Sequence, residues 1–281
     1  MADLTRCNEA LDKLLACVDA PRAVTADEGL FCGLDVGTAF IVLAVVDAEG
    51  EPVACAYQFA DVVRDGMVVD YIGACDIARS LKAGLEERLG VELARCAVAL
   101  PPGTESLDGG AVKNVAESAG LEVTAVLDEP TAANLLVGAT DAAVVDIGGG
   151  TTGISVIQDG KVISCVDEST GGTHFSLVIA GAKGMGFDEA ELYKRDSAHH
   201  AELLPVVRPT IDKVAHIIRR AIDGYRVDDV ILVGGTAELT GIEERVERDL
   251  GIAVHKPSHP MFATPLGIAL GCLAAAREEE L

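Results

Sequence analysis

Short aliphatic runs alternate along this chain with longer stretches whose apolar positions lie three and four residues apart, and each texture predicts an element. Leu4, Cys7, Leu11, Leu14, Leu15 and Val18 recur at helical spacing, so an amphipathic helix is expected before Pro21, with a short polar linker after it. The run from Phe31 to Val46 opens the strands. A turn at Asp47-Ala48-Glu49-Gly50 leads to a strand through Val53 and Tyr57, and Arg64-Asp65-Gly66 turns the chain toward Met67-Val68-Val69. Ile77, Leu81, Leu85 and Leu89 share one face of a helix over 72–89. A buried strand over 96–100 stops at Pro101-Pro102. A helix over 111–119, a strand over 123–127 and a helix over 129–136, with Pro130 in its first turn, complete the first half.

The second half repeats this plan. Aliphatic runs at 143–147, 154–157 and 162–166 form a meander closed by the Asp159-Gly160 turn. An interrupted helical region covers 172–195 and a longer helix 206–222. Val230-Ile231-Leu232-Val233 is a buried strand followed by Gly234-Gly235. Thr240-Gly241-Ile242-Glu243 has the spacing of a capping box that opens a helix to Leu250. Val254 marks a short strand, and the last helix covers 266–276. Each half reads strand, strand, strand, helix, strand, helix, which predicts a duplicated α/β architecture.

Chemistry gathers at two hairpin tips. Val144-Val145-Asp146-Ile147 runs into Gly148-Gly149-Gly150-Thr151-Thr152-Gly153, and a weaker copy is Gly33-Leu34-Asp35-Val36-Gly37-Thr38. A carboxylate, glycine amides and hydroxyls at one tip suit phosphate and a hydrated divalent cation. Gly148, Gly150 and Gly153 also satisfy the dinucleotide-binding spacing, but that pattern needs a strand leading into a helix. Here strand leads to strand, so no helix is expected behind the loop. The P-loop pattern is absent.

Composition narrows the picture. The 281 residues include 45 acidic and 22 basic side chains, a formal charge of −23, which disfavours nonspecific nucleic acid or anionic membranes as partners. Eight cysteines form no C-x-x-C pair, so zinc and iron–sulfur signatures are missing; they read as small buried hydrophobes in a reducing compartment. No charged-then-apolar leader opens the chain, and no apolar run is long enough to span a bilayer, so a cytoplasmic location is expected.

Taken together, these residues resemble the actin-like ATPase superfamily, which includes DnaK-type chaperones, MreB filaments and sugar kinases. Its two phosphate motifs resemble Gly33 to Thr38 and Val144 to Val156. Its two connecting motifs resemble Leu127-Asp128-Glu129-Pro130-Thr131-Ala132-Ala133 and Pro265-Leu266-Gly267-Ile268-Ala269-Leu270-Gly271, and its adenosine motif Ile231-Leu232-Val233-Gly234-Gly235-Thr236. Within that superfamily, Val63 to Asp70, Leu100-Pro101-Pro102-Gly103-Thr104, Ser118 to Val123 and Gly171-Gly172-Thr173-His174-Phe175-Ser176-Leu177 are similar to the ethanolamine utilisation protein J family, a chaperone-like branch associated with bacterial microcompartments.

The resemblance implies an α/β, actin-like ATPase fold with two duplicated ribonuclease-H-like lobes around a nucleotide cleft. An N-terminal helix and linker would occupy 1–28, the lobes 29–138 and 139–264, and a helix over 265–281 would return to the first lobe. It implies ATP and Mg²⁺ as ligands, Asp35 and Asp146 holding the waters around the metal, and Glu129 orienting the attacking water. Gly37, Thr38, Gly148, Gly149, Gly150, Thr151 and Thr152 would meet phosphate. Glu191 and Lys194 would meet ribose and adenine, and Gly234, Gly235 and Thr236 the adenosine.

The residues alone leave alternatives. The two aspartates would also serve as turn residues, Glu129 as a helix N-terminal charge, and Glu191–Lys194 as a surface ion pair. A catalytic lysine of the large chaperones has no clear counterpart, so slow hydrolysis or a nucleotide-dependent switch is expected, with a microcompartment enzyme or shell protein as partner. A small-molecule kinase and a non-catalytic filament or scaffold are the alternatives on the same fold. The N-terminal helix either packs on its own domain or docks on a partner.

Overall fold

The structure, a computed structural model, describes residues 3–25, 28–64, 67–103 and 109–279; Asp65 and Gly66 of the expected turn, and Thr104, lie outside them. The first half runs α1 (Thr5–Asp19), β1 (Phe31–Val36), β2 (Phe40–Val46), β3 (Pro52–Phe59), the two-residue strands β4 (Val63–Arg64) and β5 (Met67–Val68), α2 (Tyr71–Leu89), β6 (Arg95–Leu100), α3 (Gly109–Ser118), β7 (Glu122–Asp128) and α4 (Glu129–Val137). The second runs β8 (Ala142–Ile147), β9 (Thr152–Gln158), β10 (Lys161–Glu168), α5 (Gly172–Lys183), α6 (Phe187–Arg195), α7 (His200–Ile222), β11 (Asp229–Val233), α8 (Ile242–Leu250), β12 (Ala253–His255) and α9 (Ala263–Glu279).

The duplication is visible in the sheets. One has the strand order β3-β2-β1-β6-β7 and the other β10-β9-β8-β11-β12. In both, the first three strands form an antiparallel meander and the last two add in parallel. The aliphatic run from Phe31 to Val46 is two strands, because the Gly37 amide donates to the Phe40 carbonyl at 3.0 Å and turns the chain.

Three apolar layers follow. Leu34, Leu43 and Val98 pack with Leu81 and Leu85 of α2 on the outer face of the first sheet. Val145, Ile154 and Leu232 pack with Phe175 of α5 and Ile211 of α7 on that of the second. Between the sheets, Val42, Ala44, Val144 and Ile231 meet α4 and α9. Gly267 lets α9 lie close against α4, since a Cβ there would meet the Ala132 carbonyl oxygen at 2.0 Å. Residues 260–279 are long and apolar enough to cross a membrane, yet 72% of that window is buried inside the protein.

Cys7, Leu11 and Leu14 of α1 are buried in the same central layer. The stripe that predicts this helix is therefore covered by its own chain, and Ser258 is tied to α1 through Asn8 and Asp12. Two local expectations are corrected. Helix α7 begins at His200, ahead of Pro205 and Pro209, because burying His200 and Leu203 on the face shared with Val207 and Ile211 outweighs the missing amides. Helix α8 has no capping box. Its N-cap is Gly241 with φ +89°, and the Thr240 amide donates instead to His200 Nδ1 at 3.0 Å.

Candidate functional site

The β1–β2 and β8–β9 hairpin tips meet tip to tip. A Cβ placed on Gly149 would lie 3.0 Å from Cβ of Thr38, so the glycine lets one loop rest on the other. Between and below them is a cavity of about 90 Å³ walled by Asp35, Gly37, Thr38, Phe40, Glu129, Asp146, Gly148, Gly149, Gly150, Thr151, Gly234, Gly235 and Thr264. Among the described residues no cationic side chain lies in its walls. Asp35 and Asp146, more than a hundred positions apart, converge because each strand order places its Asp-bearing strand at the middle of the sheet.

The carboxylates are crowded and poorly hydrated. Burial, and then the charge of Asp146, pushes Asp35 up to about 7. Burial lifts Asp146 to about 6, against a hydrogen bond donated by the Thr264 hydroxyl. Glu129 opens α4, whose N-cap is Asp128 with its Oδ1 accepting from the Thr131 amide at 2.9 Å. Burial first, and then Asp146, Asp35, Asp167 and Asp128, hold the Glu129 carboxyl well above the ordinary carboxylate range. Like charges this close favour binding a cation or a proton. Among the described residues no three Asp, Glu, His or Cys side chains converge to ligate a metal directly. The arrangement therefore fits a cation that keeps its own water shell, as Mg²⁺ does, better than one stripped of water.

The phosphate-type loop is braced from behind. The amides of Gly172 and Thr173, at the start of α5, donate to the carbonyls of Gly148 and Gly149 at 2.9 and 2.7 Å. This corrects the expectation that no helix stands behind the loop: α5 follows β10 rather than the loop itself, so local sequence does not reveal it. Gly171 makes this contact possible, since a Cβ there would meet Gly148 O at 2.8 Å and Gly150 C at 2.7 Å. Gly234 has φ +88° and lies so close to Asp146 that a Cβ would meet Oδ1 at 2.2 Å.

Four expected ligand-binding residues lie outside the cavity walls. The Thr152 hydroxyl donates to the Thr170 carbonyl at 2.5 Å, and that of Thr236 to Gly148 O at 2.8 Å, so both hold the loop rather than face the cavity. Glu191 and Lys194 are not a surface pair. Lys194 Nζ contacts Glu191 Oε2 at 2.7 Å, Ser176 Oγ at 2.9 Å and Gly172 O at 3.0 Å, beneath α5. Burial depresses the Lys194 ammonium, against the pull of Glu191. Next along α6, the Arg195 guanidinium lies 4.7 Å from the Phe40 ring and 5.1 Å from that of Phe59, linking the second half to the first across the cleft.

One acidic residue beside the site escapes sequence reasoning. Asp167, near the end of β10, is pushed up to about 6 by burial, against a hydrogen bond from Thr151, with Asp146 adding to the rise. Its only sequence signal is a carboxylate in a segment otherwise alternating as strand.

The comparisons with known proteins agree with this architecture. The family model described as type IV pilus assembly protein PilM matches residues 117–263. Ethanolamine utilization protein EutJ of Salmonella typhimurium is 45% identical over 254 residues, covering 90% of this chain and 88% of that protein. The crystal structure of EutJ from Carboxydothermus hydrogenoformans superposes with a TM-score of 0.88 at 48% identity, covering 94% of this chain and 97% of that one. MreB5 of Spiroplasma citri bound to ADP superposes at 0.70 with 18% identity, over 89% of this chain and 98% of that one, a likeness of fold alone. With an actin-like ATPase fold built from two matching sheets and this degree of identity over nine-tenths of its length, the chain belongs to the ethanolamine utilization protein EutJ family.

Proposed function

We propose that this protein is an ATP- and Mg²⁺-binding, chaperone-like switch of ethanolamine utilization, a slow ATPase acting in the cytoplasm on assembly or reactivation of a microcompartment enzyme or shell protein. The observation that carries the reading is the convergence of Asp35, Glu129 and Asp146 on one cavity roofed by two glycine–threonine tips. We take the lobes to divide at 29–138 and 139–264, with 265–281 returning to the first. The ADP held by MreB5, on the same fold, supports a nucleotide in the same cleft.

In this reading Asp35 and Asp146 hold the water shell of the cation, and Gly37, Thr38 and Gly148 to Thr151 offer amides and hydroxyls to phosphate oxygens. Mg²⁺, when bound, would neutralise phosphate charge. Glu129, kept basic by its neighbours, orients the attacking water and accepts its proton. With no lysine or arginine among the described wall residues, the developing charge on the phosphate has no side-chain help from them, which favours slow turnover. Phosphates touching both tips would couple the nucleotide to lobe position, which is the basis of a switch. Gly234 and Gly235 serve the ribose and adenine end, and Lys194, held by Glu191, and Thr236 support it from behind through their bonds to Gly172 and Gly148.

Millimolar Mg-ATP should raise Tm, because a ligand specific to the folded state stabilises it by mass action. Asp146→Ala should remove that rise. A wild-type protein with no shift refutes the reading. Glu129→Ala should lower hydrolysis while leaving ATP affinity intact, the pattern of a group that acts in the transition state.

A further inference from the structure

The two halves of the molecule provide an internal comparison. In the first sheet Asp35 on β1 pairs with Val42 on β2, which pairs with Tyr57 on β3. In the second sheet the same row is Asp146 on β8, Gly153 on β9 and Asp167 on β10. Residues directly paired across strands put their side chains on one face, so Asp146 and Asp167 flank a position that has no side chain. Strands lie about 4.8 Å apart, so the two backbones stand about 10 Å apart.

Both replacements run against sheet stability. A valine suits a buried strand, whereas a glycine there costs about 0.5–1 kcal/mol relative to alanine. A carboxylate taken from water is costly unless it is paired. Among the described residues, Asp167 Oδ1 is buried with no hydrogen-bond partner. The glycine lets the first half pack directly on this row: a Cβ on Gly153 would lie 3.3 Å from Cδ of both Pro102 and Pro130, and Pro130 follows Glu129 directly. The Thr151 side chain, from the phosphate-type loop, hydrogen-bonds to Asp167.

We infer that Asp167 is a further binding residue of the cleft, holding a water of the hydrated divalent cation from the β10 side. This deepens the proposed function and rests on it. Its geometry differs from that of Asp35 and Asp146, which approach from the hairpin tips; Asp167 approaches from the edge of the meander. Outer carboxylates of this kind change metal affinity by about 10–100-fold.

The experiment is ADP affinity by calorimetry, measured on the full chain with Mg²⁺ and again in excess chelator. For Asp167→Asn, which keeps the shape and removes the charge, ADP affinity in chelator should match wild type, while the strengthening by Mg²⁺ should shrink at least tenfold. Circular dichroism confirms that each variant is folded, and if Asn disturbs the fold, Asp167→Ser reads the same ratio. A wild-type protein whose ADP affinity ignores Mg²⁺ overturns the cation reading as a whole. A wild-type protein that depends on Mg²⁺ beside an Asp167→Asn protein with the same dependence overturns the role of Asp167 alone.

Discussion

Removing one cleft carboxylate should stabilise the protein, and the pH dependence of that gain follows from the structure. Asp35→Asn deletes a carboxylate that faces Asp146 and, among the described residues, has no cationic side chain beside it in the cavity wall. Its carboxyl titrates near 7 in the folded chain against about 3.9 in an unfolded one. Because the folded value is raised, the folded state holds the proton more tightly. The stability this contributes is fully present below about pH 4 and is lost as pH rises through about 7.

At about 1.4 kcal/mol per tenfold in proton affinity, ionising Asp35 costs the metal-free fold up to about 4 kcal/mol. Asp35 keeps partial contact with solvent, so about 2 kcal/mol is the working figure. For a chain of this size that is a Tm gain of about 4–8 °C for Asp35→Asn at pH 8 in chelator. At pH 5, where the folded carboxyl is already protonated, the gain should fall to about a third of that value. The assay is thermal unfolding of both proteins across pH 5 to 8 without divalent ions. A Tm difference that is flat with pH, or that shrinks toward pH 8, refutes the electrostatic account. Added Mg²⁺ should reverse the order of the two proteins at pH 8, since only the wild type has the full set of carboxylates.

Other outcomes follow from packing. Leu14→Ala, at a position with no solvent exposure in the central layer, should cost about 3–4 kcal/mol and lower Tm correspondingly, with nucleotide binding retained by the folded fraction. Deletion of residues 1–27 should lower Tm strongly for the same reason; an unchanged Tm would mean that α1 is dispensable to the core. Gly234→Ala should remove the Mg-ATP shift, because the new methyl occupies the position of Asp146 Oδ1 and the backbone holds φ +88°; the check is a thermal shift alongside circular dichroism.

The sequence makes the strands and their duplication plain because fully buried central strands must be aliphatic, as Val144, Val145, Ile231 and Leu232 are. It also makes the cleft plain where ligand chemistry and chain turn coincide, at Asp35 with Gly37 and at Asp146 with Gly149. What it hides are contacts made across register or between helices. The stripe of Leu11 and Leu14 says that α1 is covered but not by what. The spacing of Glu191 and Lys194 says that they share a face but not that α5 buries it. Asp167 follows Val166 and precedes Glu168 as any strand-end acid would, and only the pairing with Gly153 brings it into line with Asp146. Thr240 shows the opposite error: a local pattern that fits a cap is overridden when a buried histidine, His200, takes its amide.

The contact between Gly149 and Thr38, together with Arg195 lying over Phe40 and Phe59, also has a kinetic consequence. A space of about 90 Å³ is well below the roughly 300 Å³ at which ligand pockets begin, so on the proposed function a nucleoside triphosphate would enter only after the tips part. Parting them lifts the guanidinium off two aromatic faces, at about 0.5–2 kcal/mol. Opening then becomes a gate in series with encounter. At high ATP the observed association rate should level off at the opening rate instead of rising with concentration, and the same gate would slow the escape of product. On the proposed function, such a protein would keep time by how often its two hairpin tips separate and not by how fast nucleotide arrives.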